Sequence, residues 1–242
     1  MSQNKKFLYR RILLKISGEV LQGSNNFGID INSLKRIVKE IKSVVDIGIQ
    51  VSLVIGSGNL FRGATLSELG LDRVASDHIG ILSTIINSVA IRDMINSNLS
   101  IRTCLMSAIP INGICEIYNC EQAINLLSNN FVIIFAAGTG NPFFTTDSAA
   151  CLRAIETKSD IILKGTKVDG VYSKDPEKNS DAILYRKLTY KDVLKKELKV
   201  MDLSAFILAR DYHLPIRVFN INKPGSLYRI VTNRSEGTII SK

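Results

Sequence analysis

The chain has 242 residues, 45% of them hydrophobic and 22% charged, the balance of a globular protein long enough to bury one full core. A formal charge of +9 and a pI near 9.4 raise nucleic acid as a partner. The cations Lys35, Lys39, Lys42, Lys187, Lys191, Lys195 and Lys199 are spread over helices and loops, however, so no dedicated nucleic-acid surface is expected.

Asn4 to Arg11 is basic and leads into the apolar run Ile12-Leu13-Leu14, which Lys15 interrupts and Ser17-Gly18 ends. A secretory core needs roughly 7–15 unbroken apolar residues, so Arg11 to Ile16 reads as a buried strand and not a signal peptide. Asp30 caps a helix with Ile31, Leu34, Ile37, Ile41, Val44 and Val45 on one stripe, and Gly48 stops it. Ile49 to Ile55 is a β-branched strand ending at Gly56-Ser57-Gly58, and Asp72 opens a long helical pattern through Asn96. Within it Ile79 to Ile91 is the longest apolar-leaning stretch; it carries Ser83, Thr84, Asn87 and Ser88 and is too short to span a bilayer. Ile101 to Met106 predicts a strand, Glu121 to Leu127 a short helix, and Phe131 to Ala136 a strand running into Gly138-Thr139-Gly140. Thr146 or Asp147 caps a helix through Glu156, and Asp160 to Leu163 is a further strand. Val168 to Ser173 reads as a turn or hairpin closed by Asp175-Pro176. Helices around Asp192 to Leu198 and Asp202 to Asp211, a strand Ile216 to Asn220 and a last strand Thr238 to Ile240 complete the chain.

Strand and helix alternate, and near-continuous apolar strands require a sheet covered on both faces. The expected fold is a single α/β domain over residues 1–242, three layers with a mainly parallel central sheet. Cys104, Cys115, Cys120 and Cys151 show neither C-x-x-C nor finger spacing with His78 or His213, and read as core thiols of a reducing compartment. A cytoplasmic protein without a membrane partner is expected.

Four glycine-bearing segments follow predicted strands: Lys15-Ile16-Ser17-Gly18, Gly56-Ser57-Gly58-Asn59, Gly138-Thr139-Gly140-Asn141 and Lys164-Gly165-Thr166-Lys167. Glycine lets a backbone come close to a ligand, and the exposed N–H groups of such turns favour phosphate. Ligands of open parallel sheets bind at the carboxyl ends of strands, where these loops fall. The familiar alternatives are absent: G-x-G-x-x-G would need glycine at Phe61 or Phe143, and no P-loop, kinase catalytic loop or D-F-G occurs. Lys15 is either a lysine snorkelling from the sheet edge or a cation aimed at transferring phosphates. Arg62 is a phosphate fork or a surface arginine.

The segment Lys15 to Glu19 resembles the opening of the amino-acid-kinase superfamily. Gly58 to Gly63, Ala137 to Asp147 and Lys164 to Tyr172 resemble the bacterial uridylate (UMP) kinases in particular, in register from about Tyr9 to Thr238. The resemblance implies phosphoryl transfer from ATP to UMP, with Mg²⁺, in pyrimidine nucleotide synthesis. It implies that Lys15, Ile16, Ser17, Gly18 and Gly58 touch ATP phosphates with Arg62 nearby, and that Thr166, Tyr172 and Asp175 form the adenosine side. Ser57, Asp77 and the stretch Thr139, Gly140, Asn141, Pro142, Phe143, Phe144, Thr145 and Thr146 line the UMP site by the same resemblance. Asp147 and Asp202 organise the lysines or the metal, with Lys164 as a further cation. Gly23, Ser24, Asn25, Asn26, Phe27 and Gly28 match a segment used in activation by GTP; inhibition by UTP and a homohexamer are also implied. One departure is Ser57, where the family usually has the middle of three glycines; serine is tolerable there provided φ stays negative.

The chemistry of the residues agrees. A nucleoside monophosphate is already an anion of about −1.5 to −2 at pH 7, so no catalytic base is required. Two anionic phosphates in line need their repulsion relieved, which Lys15, Arg62, glycine-loop amides and Mg²⁺ supply. Mg²⁺ binds through phosphates and one or two carboxylates. Asp147 is a candidate carboxylate, or equally a helix N-cap after Thr146. A kinase of the same superfamily acting on a carboxylate or carbamate, and a non-catalytic nucleotide sensor or basic nucleic-acid-binding protein descended from a kinase, are the rival readings.

Overall fold

The computed structural model describes residues 7–61, 66, 69–98, 100–198, 200–232 and 236–242. A nine-stranded sheet runs in the order β4-β3-β5-β2-β1-β6-β8-β9-β7. Its strands are β1 (Arg11–Ile16), β2 (Gln50–Ile55), β3 (Thr103–Ser107), β4 (Glu116–Ile117), β5 (Val132–Ala136), β6 (Ile161–Thr166), β7 (Lys187–Thr189), β8 (Ile216–Asn220) and β9 (Thr238–Ser241). Every pairing is parallel except β8 with β9. The expected single α/β domain with a mainly parallel sheet is what the chain forms.

The helices are α1 (Ile31–Val45), α2 (Arg73–Asn98), α3 (Cys120–Ser128), α4 (Thr146–Glu156), α5 (Tyr190–Lys195), α6 (Leu203–Asp211) and α7 (Ser226–Val231), with a 3₁₀ turn at Gly18–Val20. They divide between two cores. Ile12, Leu14 and Ile16 of β1 face α1, α2 and α7, while Leu13 packs with residues of α3, α4, α5 and α6. Alternation along β1 therefore sends Lys15 to the same face as Leu13. A lysine in a buried strand is the residue the fold has to answer for.

β1 lies between β2 and β6, both parallel to it, so the crossovers run outward from it in opposite directions. That is the switch point at which open α/β sheets leave a crevice beyond the strand ends. The loops after β1, β2, β5 and β6 all open on this edge.

Most predicted elements are present with ends shifted by one to three residues. The short β4 and β7 and the one-and-a-half-turn α7 were not expected; elements of two to six residues carry too little periodicity to read. Val168 to Ser173 does turn back on itself, through a bridge between Tyr172 and Leu184. The N-cap of α4 is neither Thr146 nor Asp147 but Thr145, whose Oγ1 accepts from Asp147 N and Ser148 N. Helix α2 is, by length and composition, able to cross a bilayer, which the shorter stretch read from sequence is not; half of it is buried in the protein.

Candidate active site

β1 and β6 pair in register with Lys15 opposite Lys164. Neighbouring strands lie about 5 Å apart, so two ammonium stems leave the same face side by side. Asp147, in the first turn of α4, stands between them: Oδ1 is 2.6 Å from Lys15 Nζ and Oδ2 is 2.7 Å from Lys164 Nζ. The Oδ1 contact is an ion pair without hydrogen-bond alignment. Lys164 also donates to the Val200 carbonyl. The side chains of Lys15, Lys164 and Asp147 are only 8%, 12% and 12% exposed.

Burial pushes Asp147 towards its neutral form, but Lys15 and Lys164 outweigh that and hold its pKa down to about 2. Lys164 is lowered from its ordinary value, first by burial and then by the like charge of Lys15, with Asp147 acting in opposition. Thr145 makes this geometry: by taking the N-cap it frees the Asp147 carboxylate to face the strands.

A cavity of about 740 Å³ opens on one side of the cluster. Lys15, Ser17, Thr166, Tyr172 and Asp175, which the resemblance assigns to the ATP side, line it with Lys164 and with Lys167 of the same glycine segment; Glu19, Lys174 and Lys196 join them and were given no role from sequence. Ile16 offers only backbone: its side chain is fully buried and its carbonyl accepts from Gly56 N at 2.9 Å. Gly18 has no room for a side chain. A Cβ there would stand 2.5 Å from Gly58 N and 2.7 Å from Gly56 O, so the loops after β1 and β2 touch through bare backbone. Arg62 lies outside the described residues.

A second cavity, of about 260 Å³, shares no lining residue with the first and reaches Thr145 and Thr146, next to Asp147 in the chain. Ser57, Asp77, Thr139, Asn141, Phe144, Thr145 and Thr146 line it; Gly140, Pro142 and Phe143 do not. Gly140, at φ +83°, is pressed against Ala108 and Ile109. Phe143 is 64% exposed and left-handed (φ 69°), and its N–H donates to Asp77 Oδ2 at 2.8 Å. Asp77 Oδ2 also accepts from Arg73 Nε at 2.9 Å, and Arg73 lies 5.3 Å from the Phe143 ring centroid. Asp77 thus fastens the loop after β5 to α2. Gly138, of the expected glycine segment, also lines it; Arg73, Gly80, Ile81 and Thr84 complete the lining and were missed, although an Arg73–Asp77 spacing of four at a helix start was a readable signal. Ser57 does not adopt a positive φ, so its serine causes no backbone strain.

Asp202 caps α6, accepting from Ala205 N at 2.8 Å, and takes hydrogen bonds from Thr145, Ser148 and Ser204. It joins α6 to the start of α4, a clasp behind Asp147. Among the described residues no group of three His, Cys, Asp or Glu side chains could hold a metal ion. The Asp147 oxygens are engaged by Lys15 and Lys164, and those of Asp202 by Thr145, Ser148 and Ser204.

Gly23 to Gly28 form a surface loop outside both cavities, closed at its base by Asp30 N donating to Leu21 O at 2.7 Å. Phe27 packs edge-on against Phe61, centroids 5.8 Å apart.

The chain matches the Amino acid kinase family over residues 10–220. It is 79% identical over 242 residues to the uridylate kinase of Buchnera aphidicola subsp. Acyrthosiphon pisum, with all of both chains covered. It is 60% identical to the uridylate kinase of Yersinia enterocolitica, covering 100% of this chain and 97% of that one. Among solved structures, the UMP kinase of Bacillus anthracis superposes with a TM-score of 0.93 at 44% identity, covering 96% of each chain. That of Ureaplasma parvum gives 0.89 at 36% identity over 96% of this chain and 99% of its own. The chain belongs to the amino acid kinase family, and within it to the uridylate kinases.

Proposed function

We propose that this chain transfers the γ-phosphoryl group of ATP to UMP, giving UDP and ADP. The observation that carries the reading is the buried Lys15–Asp147–Lys164 cluster at a strand switch point, whose two lysines line the larger cavity while Thr145 and Thr146, beside Asp147, line the smaller one. The larger cavity suits the triphosphate nucleotide and the smaller one the monophosphate. Asp147 supplies a counter-charge to both lysines in a desolvated place, where fixed cations act more strongly on developing phosphate charge than in water. The acceptor is already an anion, so the reaction needs no general base. The start of α4 and the loops after β2 and β5 border the smaller cavity through Thr145, Thr146, Ser57 and Thr139. Asp147 and Asp202 act as organisers, the first of the lysines and the second of α4. Mg²⁺ would enter with the ATP substrate, held mainly by its phosphates and water.

A coupled ADP-release assay with UMP, CMP, AMP, aspartate, glutamate and carbamate tests the assignment. UMP is expected to be turned over fastest; a carboxylate or carbamate that outperforms it would overturn the reading. In the same assay Lys15→Ala is expected to lose about 10²-fold or more in kcat, and an unchanged kcat would remove the lysine from the mechanism.

The resemblance extends the proposal to a cytoplasmic enzyme of pyrimidine nucleotide synthesis, activated by GTP through Gly23 to Gly28, inhibited by UTP and assembled as a homohexamer. Leu82 and Ile86, one turn apart on α2 and 50% and 54% exposed, offer an apolar stripe for self-association. A solution mass near six times 26.7 kDa is expected; a monomer at working concentration would refute the assembly.

A further inference from the structure

Beneath the loop after β2 lies a buried polar pair that the phosphate chemistry leaves unexplained. Asn59 and Asn87 are 1% and 0% exposed. Their amides close a ring: Asn59 Nδ2 donates to Asn87 Oδ1 at 3.0 Å, and Asn87 Nδ2 donates to Asn59 Oδ1 at 2.7 Å. The second N–H of each goes to backbone, Asn87 to Gly56 O at 2.8 Å and Asn59 to Gly28 O at 2.9 Å. The Asn59 carbonyl in turn accepts from Gly28 N at 2.8 Å. Every amide donor is satisfied.

Stability alone does not call for such a pair, because replacing both partners by apolar groups of similar shape is often neutral or better. What two amides add is direction. Asn87 draws the Gly56 carbonyl towards α2. In a trans peptide the next N–H, that of Ser57, points the opposite way. Among the described residues that N–H meets no protein acceptor, and Ser57 borders the smaller cavity. The same ring packs against the loop after β1, since a Cβ on Gly18 would stand 2.6 Å from Asn59 Oδ1. Through Gly28 it also grips the end of the 23–28 segment at two points. On α2, Asn87 is three residues beyond Thr84, which lines the acceptor cavity and accepts from Ala137 N at 3.0 Å. One helix therefore carries the cavity wall and the clamp beneath the loop.

We propose that Asn87 is a positioning residue for phosphoryl transfer: it turns the Ser57 N–H towards the acceptor phosphate and, through Asn59, locks the 23–28 segment to the same loop. This rests on the reading of the smaller cavity as the acceptor site. The test compares wild type with Asn87→Leu, which keeps the branched side-chain skeleton, with somewhat more bulk, and removes the side-chain hydrogen bonds of residue 87. Hydrogen exchange of peptides covering residues 22–30 and 56–61 is followed without nucleotide, alongside steady-state kinetics. Exchange in both peptides is expected to rise about ten-fold while β1 and α1 stay protected. The kcat is expected to fall about 10- to 10²-fold, with the KM for ATP little changed. A kcat within about two-fold of wild type, or unchanged exchange in both peptides, overturns the proposal. Should the leucine variant not fold, Asn87→Ser, which leaves room for water, is judged by the same two readouts. Failure of the wild type to phosphorylate UMP would refute the function and leave the exchange result to judge the clamp by itself.

Discussion

Lys15 and Lys164 stand opposite each other on adjacent strands, and two buried ammonium groups remain side by side because Asp147 lies between them. Half of this was legible: a lysine ending an apolar strand run is conspicuous. The pairing with Lys164 was not, because register between strands 149 positions apart leaves no local trace. Asp147 was readable as a carboxylate or a cap, and the choice turned on whether Thr145 took the cap, which it does. Burial alone would raise the Asp147 pKa, yet Lys15 and Lys164 depress it from 3.8 to about 2. A depressed folded-state pKa means that the unfolded chain binds its proton more readily. The stabilisation is therefore complete above about pH 4 and is lost as pH falls through about 2, some 2 kcal/mol in all. Urea unfolding between pH 6 and pH 2 should show wild type losing that amount relative to Asp147→Asn. The variant should already be weaker at neutral pH by about 3–5 kcal/mol, since two buried cations lose their counter-charge. Parallel pH profiles would contradict this account of the cluster.

At the scale of elements, the loop after β5 shows most clearly what sequence leaves out. Its glycines announced a tight turn, but Ala137 and Phe143 are also left-handed, at φ 64° and 69°. Non-glycine residues hold such conformations only when their surroundings impose them. Here Thr84 takes the Ala137 N–H and Asp77 takes that of Phe143, so α2 holds the loop at both ends. Asp77→Ala removes one of these holds beside the smaller cavity. It is expected to raise the KM for UMP by about ten-fold, equivalent to one hydrogen bond to a charged group, with the KM for ATP little affected. A selective rise for ATP would show that the two cavities had been assigned the wrong way round.

For the whole molecule, strand and helix alternation and apolar strands were enough to give the layered α/β fold, because a sheet covered on both faces has to be apolar on both. The strand order was not legible, and it matters more for function. Placing β1 between β2 and β6 collects loops from residues 17, 56, 138 and 166 on one edge. Positions more than a hundred residues apart become a single rim, with the lysine cluster at its base. The central claim is that the two nucleotides meet across that cluster. A crystal structure with UMP and a non-hydrolysable ATP analogue tests it most directly. The triphosphate is expected in the larger cavity, UMP in the smaller one, and their facing phosphates within ion-pair reach of Lys15 or Lys164. Nucleotides bound with their phosphates away from both lysines would contradict it.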